Sequence, residues 1–276
     1  MNRKCLFVIV FIFLNFSLFA QAGLRIIVEE SADGFTIVRA EGQARELIIP
    51  ATINDIPVIA VGENAFIRSG LTMVTIPDTV IDIGEGAFSH NDLGTIVIGD
   101  SVETIGRSAF ANNRLSDLTL GASVATIGMG AFSGNRLTSI TIPDSVVTIE
   151  PYAFFDNRLT TIAIPDSVVT IGEGAFSTNR LSTAIIGNSV EHIGDGAFFN
   201  NELTSITIPD SIVALGNRVF ESRITRRGAV PPVDFVDIRG EILYTTANNF
   251  DTFFAATGRR AGTYTFSVRD GWEFAE

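Results

Sequence analysis

The sequence contains a single cysteine, a single lysine and two histidines among its 276 residues. Cys5 and Lys4 both lie at the start, so the rest of the chain has neither residue type. A disulfide needs two cysteines and zinc sites depend on cysteine and histidine, so we expect no disulfide and no metal site. No Ser/His/Asp or Cys/His set can be assembled around His90 or His192. We therefore expect a protein that is not an enzyme and carries no cofactor.

Positive charge is also scarce, with 19 basic against 31 acidic residues and a formal net charge of −12 at pH 7. Nucleic acids and anionic lipid surfaces are themselves negative, and an acidic protein offers them little counter-charge. The balance argues against nucleic acid or an anionic lipid surface as the main partner.

Long apolar runs are absent after residue 22, and the run at the start is short. Arg3 and Lys4 precede an apolar stretch from Leu6 to Phe13, and Ala20-Gln21-Ala22 supplies small residues for cleavage. A membrane-spanning helix needs about 20 apolar residues, more than this stretch contains. The pattern predicts a signal peptide over residues 1–22, export through the inner membrane to the cell surface or periplasm, and no transmembrane segment in the mature chain.

What the chain has in abundance is a repeat of 22 residues. The repeat is marked by phenylalanine at Phe66, Phe88, Phe110, Phe132, Phe154, Phe176, Phe198 and Phe220, and the first seven each follow an alanine. Self-similarity at this period predicts a solenoid of stacked coils, because one such unit cannot bury its apolar face alone.

One coil, from Leu137 to Arg158, illustrates the expected local structure. Its inward positions are predicted to be Leu137, Ile140, Ile142, Val146, Ile149, Ala153 and Phe154. Ile140 and Ile142 are two residues apart, the strand period, so Ser139 and Thr141 should face solvent. Pro143-Asp144-Ser145 then turns the chain. Strands of successive coils should pair in parallel.

Asparagine also recurs with the same period, two residues before each strand leucine. The column consists of Asn91, Asn113, Asn135, Asn157, Asn179 and Asn201. We interpret these side chains as buried amides that bond the backbone of adjacent turns, because a buried polar group needs partners.

The segment Leu-Thr-Ser-Ile-Thr-Ile-Pro-Asp-Ser-Val-Val-Thr-Ile from Leu137, followed by Ala153-Phe154, resembles the BspA-like, or Treponema-type, leucine-rich repeat. The resemblance extends over residues 45–220, and Glu46 to Val58 is similar to the first repeat of such arrays. It implies an α/β solenoid: a curved, right-handed leucine-rich-repeat array of 22-residue coils with a parallel β-sheet face, plus a small C-terminal cap or module. The implied domains are an N-terminal cap with a first atypical repeat over 23–62, the array over 63–220, and the C-terminal cap or module over 221–276.

Beyond Phe220 the repeat is lost. Phe250, Phe253 and Phe254 are spaced as on one face of a helix, and a strand-like stretch up to Trp272 follows. We predict a helix followed by one or two strands, either covering the last coil or forming a separate module.

Two repeated patterns imitate functional sites. Gly84-Glu-Gly86 and three similar segments lack the third glycine of a dinucleotide loop, and they occur four times where a cofactor loop is needed once. We interpret them as turns. An aspartate column recurs in the turn after the strand, in most copies as Pro-Asp-Ser, and consists of Asp78, Asp100, Asp144, Asp166 and Asp210. Turn formation also explains this column, with a stacked calcium site as the alternative.

An arginine column at Arg114, Arg136, Arg158 and Arg180 stands out in an otherwise acidic array. These arginines are either solvated charges paired with acids such as Asp117 or Asp156, or a contact line for an acidic partner. The predicted exposed strand positions are Met73, Thr75, Thr95, Val97, Asp117, Thr119, Ser139, Thr141, Thr161, Ala163, Thr183, Ile185, Ser205 and Thr207. The candidate partner-binding residues are the four arginines with Asp117, Thr119, Ser139, Thr141, Thr161, Thr183, Ser205 and Thr207.

Members of the resembled family are secreted or cell-surface proteins, several of them linked to adhesion or extracellular-matrix binding. The resemblance thus implies a secreted, non-enzymatic protein-binding protein, engaged in cell-surface adhesion or in binding a host matrix component. The alternative is a periplasmic or envelope structural module that docks through its C-terminal tail.

Overall fold

The structure is a computed structural model that describes residues 12–13, 24–220, 234–236, 242–244, 262–267 and 271–275. Strand β1 (Ile12–Phe13) pairs antiparallel with β2 (Arg25–Glu30), and β2 pairs antiparallel with β3 (Phe35–Glu41). The other residues of the predicted signal peptide lie outside the described part. Arg25 and Arg39 both contact the carboxylate of Glu41. The Arg39 hydrogen bond is the main cause that lowers the pKa of Glu41, and the charges of Arg39 and Arg25 add to it against the opposing effect of desolvation.

Two compact units divide the chain, residues 1–136 and 137–276. In the first unit the strands after β3 are β4 (Glu46–Ile48), β5 (Thr52–Ile53), β6 (Ile56–Val61), β7 (Met73–Thr75), β8 (Asp82–Ile83), β9 (Thr95–Val97), β10 (Thr104–Ile105), β11 (Asp117–Thr119) and β12 (Thr126–Ile127). The parallel strands β4, β7, β9 and β11 form one row, which we call the strand face. A second parallel row contains β3, β6, β8, β10 and β12, and β5 pairs antiparallel with β6.

The second unit repeats both rows. Its coils contain β13 (Thr148–Ile149), β14 (Thr161–Ala163), β15 (Thr170–Ile171), β16 (Thr183–Ile185), β17 (His192–Ile193), β18 (Ser205–Ile208) and β19 (Ala214–Leu215). Here β14, β16 and β18 form the strand face, while β13, β15, β17 and β19 form the second row. Pairing partners along each row are 22 residues apart, as in Thr161 with Thr183. The predicted solenoid of parallel 22-residue coils is confirmed.

The described residues of the tail contain four strands. They are β20 (Asp234–Val236), β21 (Ile242–Tyr244), β22 (Gly262–Ser267) and β23 (Gly271–Ala275). β20 pairs with β21, and β22 pairs antiparallel with both β18 and β23, so a C-terminal hairpin extends the strand face of the second unit. The helix predicted around Phe250 lies outside the described residues.

The core of each unit is a continuous stack of phenylalanine rings. In the first unit Phe66, Phe88, Phe110 and Phe132 lie with centroids 5.2–5.4 Å apart and planes within 5° of parallel. In the second unit Phe154, Phe176, Phe198 and Phe220 follow at 5.3–5.5 Å. All eight rings are essentially inaccessible to solvent. A buried alanine precedes each of the first seven rings, and its small side chain leaves room for the stack.

The asparagine column is buried and fully bonded, as predicted. Asn113 is typical: its Oδ1 accepts the Leu93 backbone N–H at 3.1 Å, and its Nδ2 donates to the carbonyls of Phe88 and Phe110 at 3.0 and 3.1 Å. Asn91, Asn135, Asn157, Asn179 and Asn201 accept from the leucine 20 residues earlier in the same way. Each amide thereby ties one turn to the next within its unit.

No helix occurs in the described part of the chain, although the expected class was α/β. The segment after the second-row strand contains two positions with φ between 51° and 66°, four residues apart. Gly86 and His90 are one such pair, and equivalent residues recur along the array. A right-handed helix requires negative φ at every residue, so these positions leave turns only.

The glycines of the Gly-x-Gly turns have two different roles. Gly86 adopts a φ of 62°, as do its equivalents within a few degrees. Gly84 instead lies against the preceding coil, where a Cβ would meet backbone atoms at 2.8 Å. Both roles are structural, in agreement with the turn interpretation.

The coil from Leu137 departs from the prediction in one respect. Residues 139–141 are not assigned to a strand, and Ile140 is half-buried where an inward position was expected. The other six predicted inward residues of this coil are buried. A strand requires ladder bonds to a neighbouring strand, so an apolar period alone does not establish one.

Candidate functional site

The strand face presents alternate side chains to solvent. In the first unit Met73, Thr75, Thr95, Val97, Asp117 and Thr119 are exposed, and in the second unit Ser139, Thr141, Thr161, Ala163 and Ile185 are exposed. Thr183 and Thr207 are half-buried, although exposure was predicted, and the side chain of Ser205 lies outside the description. Short side chains on paired strands make this a surface of low relief.

The arginine column borders the strand face. Each arginine lies three residues before the first strand position of its coil that was predicted to be exposed, as Arg114 lies before Asp117. Arg114 and Arg136 belong to the first unit, Arg158 and Arg180 to the second, and all four are exposed. Their backbone N–H groups donate to the leucine carbonyl of the preceding coil, as from Arg114 to Leu93 at 3.0 Å. The backbone at each arginine is therefore fixed, while the guanidinium extends into solvent.

The ion pairing of this column differs from the expectation. Arg114 pairs with Asp92 at 3.0 Å, and neither Asp117 nor Asp156 is an ion-pair partner of these arginines in the described coils. Asp92 occupies the position equivalent to Arg114 one coil earlier, so pairing runs along the column. Within the described ranges, Arg136, Arg158 and Arg180 have no carboxylate within 4.0 Å. Three cations of the column are therefore available for an acidic group.

Side chains of the aspartate column accept hydrogen bonds from backbone N–H groups. Asp78 Oδ1 accepts the Asp100 N–H at 3.0 Å, and Asp166 Oδ1 accepts the Asn188 N–H at 2.7 Å. Each carboxylate thus satisfies a turn one coil further on. Across the described residues no group of three or more histidine, cysteine, aspartate or glutamate side chains could hold a metal ion.

Neither histidine forms part of a recognisable catalytic pair. The Ser89 hydroxyl lies 2.6 Å from His90 Nδ1, but Ser89 is only 3% exposed and also donates to the Ala111 carbonyl. A nucleophile must reach a substrate, and this hydroxyl is buried. His192 lies 3.9 Å from the carboxylate of Glu191 on the surface.

A trough that the sequence analysis did not identify lies on the turn side of the second unit. It has a volume of about 290 Å³ and is lined by Tyr152, Glu173, Gly174, Ser177, Asp195, Gly196, Phe199, Asn217 and Arg218. The signal was present in the sequence. The column at 152, 174, 196 and 218 reads Tyr, Gly, Gly, Arg, with two large residues enclosing two that have no side chain.

Hydrogen bonds organise this trough. The Tyr152 hydroxyl donates to Glu173, and this hydrogen bond is the main cause that raises the pKa of the Tyr152 phenol, with burial and the carboxylate charge adding to it. Asp195 Oδ1 accepts the Asn217 backbone N–H at 2.8 Å. The Arg218 guanidinium lies over the Phe199 ring, 4.7 Å from its centroid.

No helix in the described ranges is long and apolar enough to cross a membrane.

Comparison with known families gives one assignment. The sequence profile of the BspA type leucine rich repeat region matches in six copies, over residues 44–157 and 103–226. No curated protein shows a significant match to the chain.

Two solved structures share the fold. A leucine-rich repeat protein of T. pallidum is 27% identical, with a TM-score of 0.55 over 60% of this chain and 82% of that one. A leucine-rich repeat protein of Bacteroides ovatus is 26% identical, with a TM-score of 0.56 over 74% of this chain and 57% of that one.

Proposed function

Because this chain belongs to the family of BspA-type leucine-rich repeat proteins, we propose that it is a secreted, non-enzymatic protein that binds another protein at the cell surface, such as a host matrix component. Leucine-rich repeat arrays typically bind proteins, which supports the class of partner. The short apolar run behind Arg3 and Lys4 supports export.

The observation that carries the proposal is the combination of a flat strand face with free cations along its border. Thr119 and its neighbours are exposed on paired strands, and Arg136 beside them has no carboxylate partner in the described part of the chain. Unpaired arginines offer charge-assisted hydrogen bonds to carboxylates of a partner. Each exposed contact is weak, so affinity comes from many contacts together.

In both units the proposed contact residues are those expected from the sequence. The first unit contributes Arg114, Arg136, Asp117 and Thr119. The second unit contributes Arg158, Arg180, Ser139, Thr141, Thr161, Thr183, Ser205 and Thr207. Half-buried Thr183 and Thr207 offer less contact area than the fully exposed positions.

The test is solid-phase binding of the purified mature chain to a panel of extracellular-matrix proteins at two salt concentrations. The double variant Arg136→Glu, Arg158→Glu should lose at least tenfold in affinity for the matrix protein that the parent chain binds. A control with the same change in net charge, Arg45→Glu with Arg107→Glu, should stay within about twofold, because both residues lie outside the column. Unchanged binding of the first variant to every panel member would refute the arginine column as the site.

Location is tested separately, with an external protease applied to intact producing cells. Degradation of the protein while a periplasmic control survives is the expected result. Protection would favour the alternative, an envelope module in the periplasm that docks through its C-terminal tail.

A further inference from the structure

The two units treat one column of charged residues differently. The column precedes the left-handed position of each coil by one residue. In the first unit it reads Glu63, Glu85, Arg107, Met129, and Glu85 and Arg107 form an ion pair at 3.9 Å. In the second unit the same column reads Pro151, Glu173, Asp195, Asn217 and contains no cation. Two carboxylates, Glu173 and Asp195, therefore lie on adjacent coils, and neighbouring like charges favour the approach of a cation.

The trough beside these carboxylates exists because the neighbouring column is small there. Gly174 and Gly196 have no side chains. The Tyr152 ring covers Gly174, where a Cβ would meet its Cε1 at 2.5 Å, whereas a Cβ at Gly196 would meet only the Phe199 Cβ, at 3.4 Å. Tyr152 thus borders the trough at one end and Arg218 at the other. The space of about 290 Å³ between them is open to solvent, with Glu173 and Asp195 among its lining residues. Tyr152 is held in place by its hydrogen bond to Glu173 and by an edge-to-face contact with Phe155, centroids 6.0 Å apart.

One end of the trough already holds a guanidinium. Arg218 lies over the Phe199 ring at 4.7 Å, within the distance at which a cation is attracted by an aromatic face. The contact of Arg218 with Phe199 is an example, within the trough, of a planar cation packed against an aromatic ring. The rest of the trough is lined by the Tyr152 ring and the two carboxylates, so it has an aromatic wall and anionic charge but no cation in the column of Glu173 and Asp195.

We propose that this trough binds the arginine side chain of a basic peptide segment, with Glu173 and Asp195 as its anionic contacts and the Tyr152 ring as its aromatic wall. Arginine fits better than lysine because its planar fork can bond both carboxylates and stack on a ring at the same time. Its aliphatic stem would lie over Gly196, because the Tyr152 ring already covers Gly174. The site uses no residue of the strand face or the arginine column, so it is independent of the function proposed above.

The experiment is an NMR titration of the full mature chain at about 0.15 M salt, where long-range attraction to the acidic protein is screened. The probe is an acetylated, amidated peptide of three Gly-Arg repeats. Its match is the same peptide with citrulline, a neutral isostere of arginine. The amide signals of Glu173 and Asp195 are followed.

Two double variants, each of which removes two negative charges, distinguish binding at the trough from attraction to the acidic protein as a whole. Glu173→Gln with Asp195→Asn keeps the oxygen acceptors used by Tyr152 and Asn217, so folding is preserved. Glu63→Gln with Glu85→Gln removes the same charge from the first unit.

We expect the arginine peptide to shift the signals of the trough, the citrulline peptide to bind at least tenfold more weakly, and the trough variant to lose at least tenfold in affinity. The Glu63, Glu85 variant should change affinity less than twofold. The proposal is overturned if the citrulline peptide binds equally well, if both variants lose affinity to the same extent, or if no signal of the trough shifts.

Discussion

Replacement of Asn113 by aspartate tests the most repeated polar interaction of the fold. Asn113 is 6% exposed, its Oδ1 accepts the Leu93 N–H at 3.1 Å, and its Nδ2 donates to two phenylalanine carbonyls at 3.0 and 3.1 Å. Aspartate has the same shape and retains the acceptor. It has no amide hydrogens, so a carboxylate oxygen would face two carbonyl oxygens in the core.

The expected loss in the free energy of unfolding follows from these hydrogen bonds. Loss of two neutral hydrogen bonds costs about 0.5–1.5 kcal/mol each, and the repulsion of a buried charge comes in addition. The carbonyl of Phe88 keeps one donor, Asn91, at 2.9 Å, so it is not left bare. We expect Asn113→Asp to lower the free energy of unfolding by about 2–4 kcal/mol at pH 7. Asn113→Ala, which leaves the Leu93 N–H unsatisfied, should cost a similar amount at every pH.

The aspartate variant should also show a characteristic pH dependence. Burial beside two carbonyl oxygens raises the folded-state pKa of the new carboxyl above its unfolded value of about 3.9. Below that value the protonated acid can donate one hydrogen bond, and the variant is least destabilised. As the pH rises through the folded-state pKa, stability relative to the parent is lost, by about 1.4 kcal/mol per unit of pKa shift.

The assay is urea unfolding by circular dichroism at pH 4 and pH 7, with hydrogen exchange of the Leu93 amide as a local readout. Asn112→Asp is the matched control, because Asn112 is the neighbouring residue, is exposed, and has a φ of 55° that aspartate tolerates. The reasoning is refuted if the two variants unfold alike, or if Asn113→Asp gains stability relative to the parent between pH 4 and pH 7.

Two further predictions concern coil packing and the trough. Gly106→Ala should lower the urea midpoint by an amount equivalent to about 1–3 kcal/mol, because the new Cβ would meet backbone atoms of the preceding coil at 2.7 Å. Gly94→Ala, where no atom lies within 4 Å, should change it little, and equal effects would contradict the packing argument. Tyr152 should titrate later than an ordinary tyrosine in ultraviolet absorbance, since its pKa is raised above 10.0, and Glu173→Gln should move that titration to lower pH. Stability contributed by the Tyr152 hydrogen bond is present below pH 10 and lost as the pH rises through the raised pKa. A titration unaffected by Glu173→Gln would exclude the hydrogen bond as the cause.

Much of the fold was predictable because every coil repeats the same information. The positions of Phe110 and Asn113 recur at intervals of 22 residues, and a residue type that recurs at this interval must occupy equivalent places in successive coils. Burial of both columns followed from that periodicity and from the need of buried amides for partners. Ile140 was misassigned because an apolar alternation shows which face a residue can take, but does not show that a pairing partner is present.

The candidate site was less predictable. The partner of Arg114 is Asp92 in its own column, whereas Asp117 and Asp156 were the acids named as pairing candidates. Side-chain pairing between coils depends on rotamers and distances that a repeat pattern does not contain. The trough was missed although its column of Tyr, Gly, Gly and Arg can be found in the sequence. Tyr152 and Arg218 are 66 positions apart, and the column encloses a cavity only once the coils are stacked.

The sequence by itself determined the length of the coil, the residues of its core, the parallel pairing of successive strands and the family, because each depends on a pattern repeated in nearly every copy. The tertiary structure alone decided the absence of helix in the described coils, the ion pair of Arg114, the pairing of β22 with β18 and the trough beside Glu173. The physical reason is that a repeat specifies what all coils share, whereas these features depend on single residues that differ between coils and on distances that exist only after the coils are stacked.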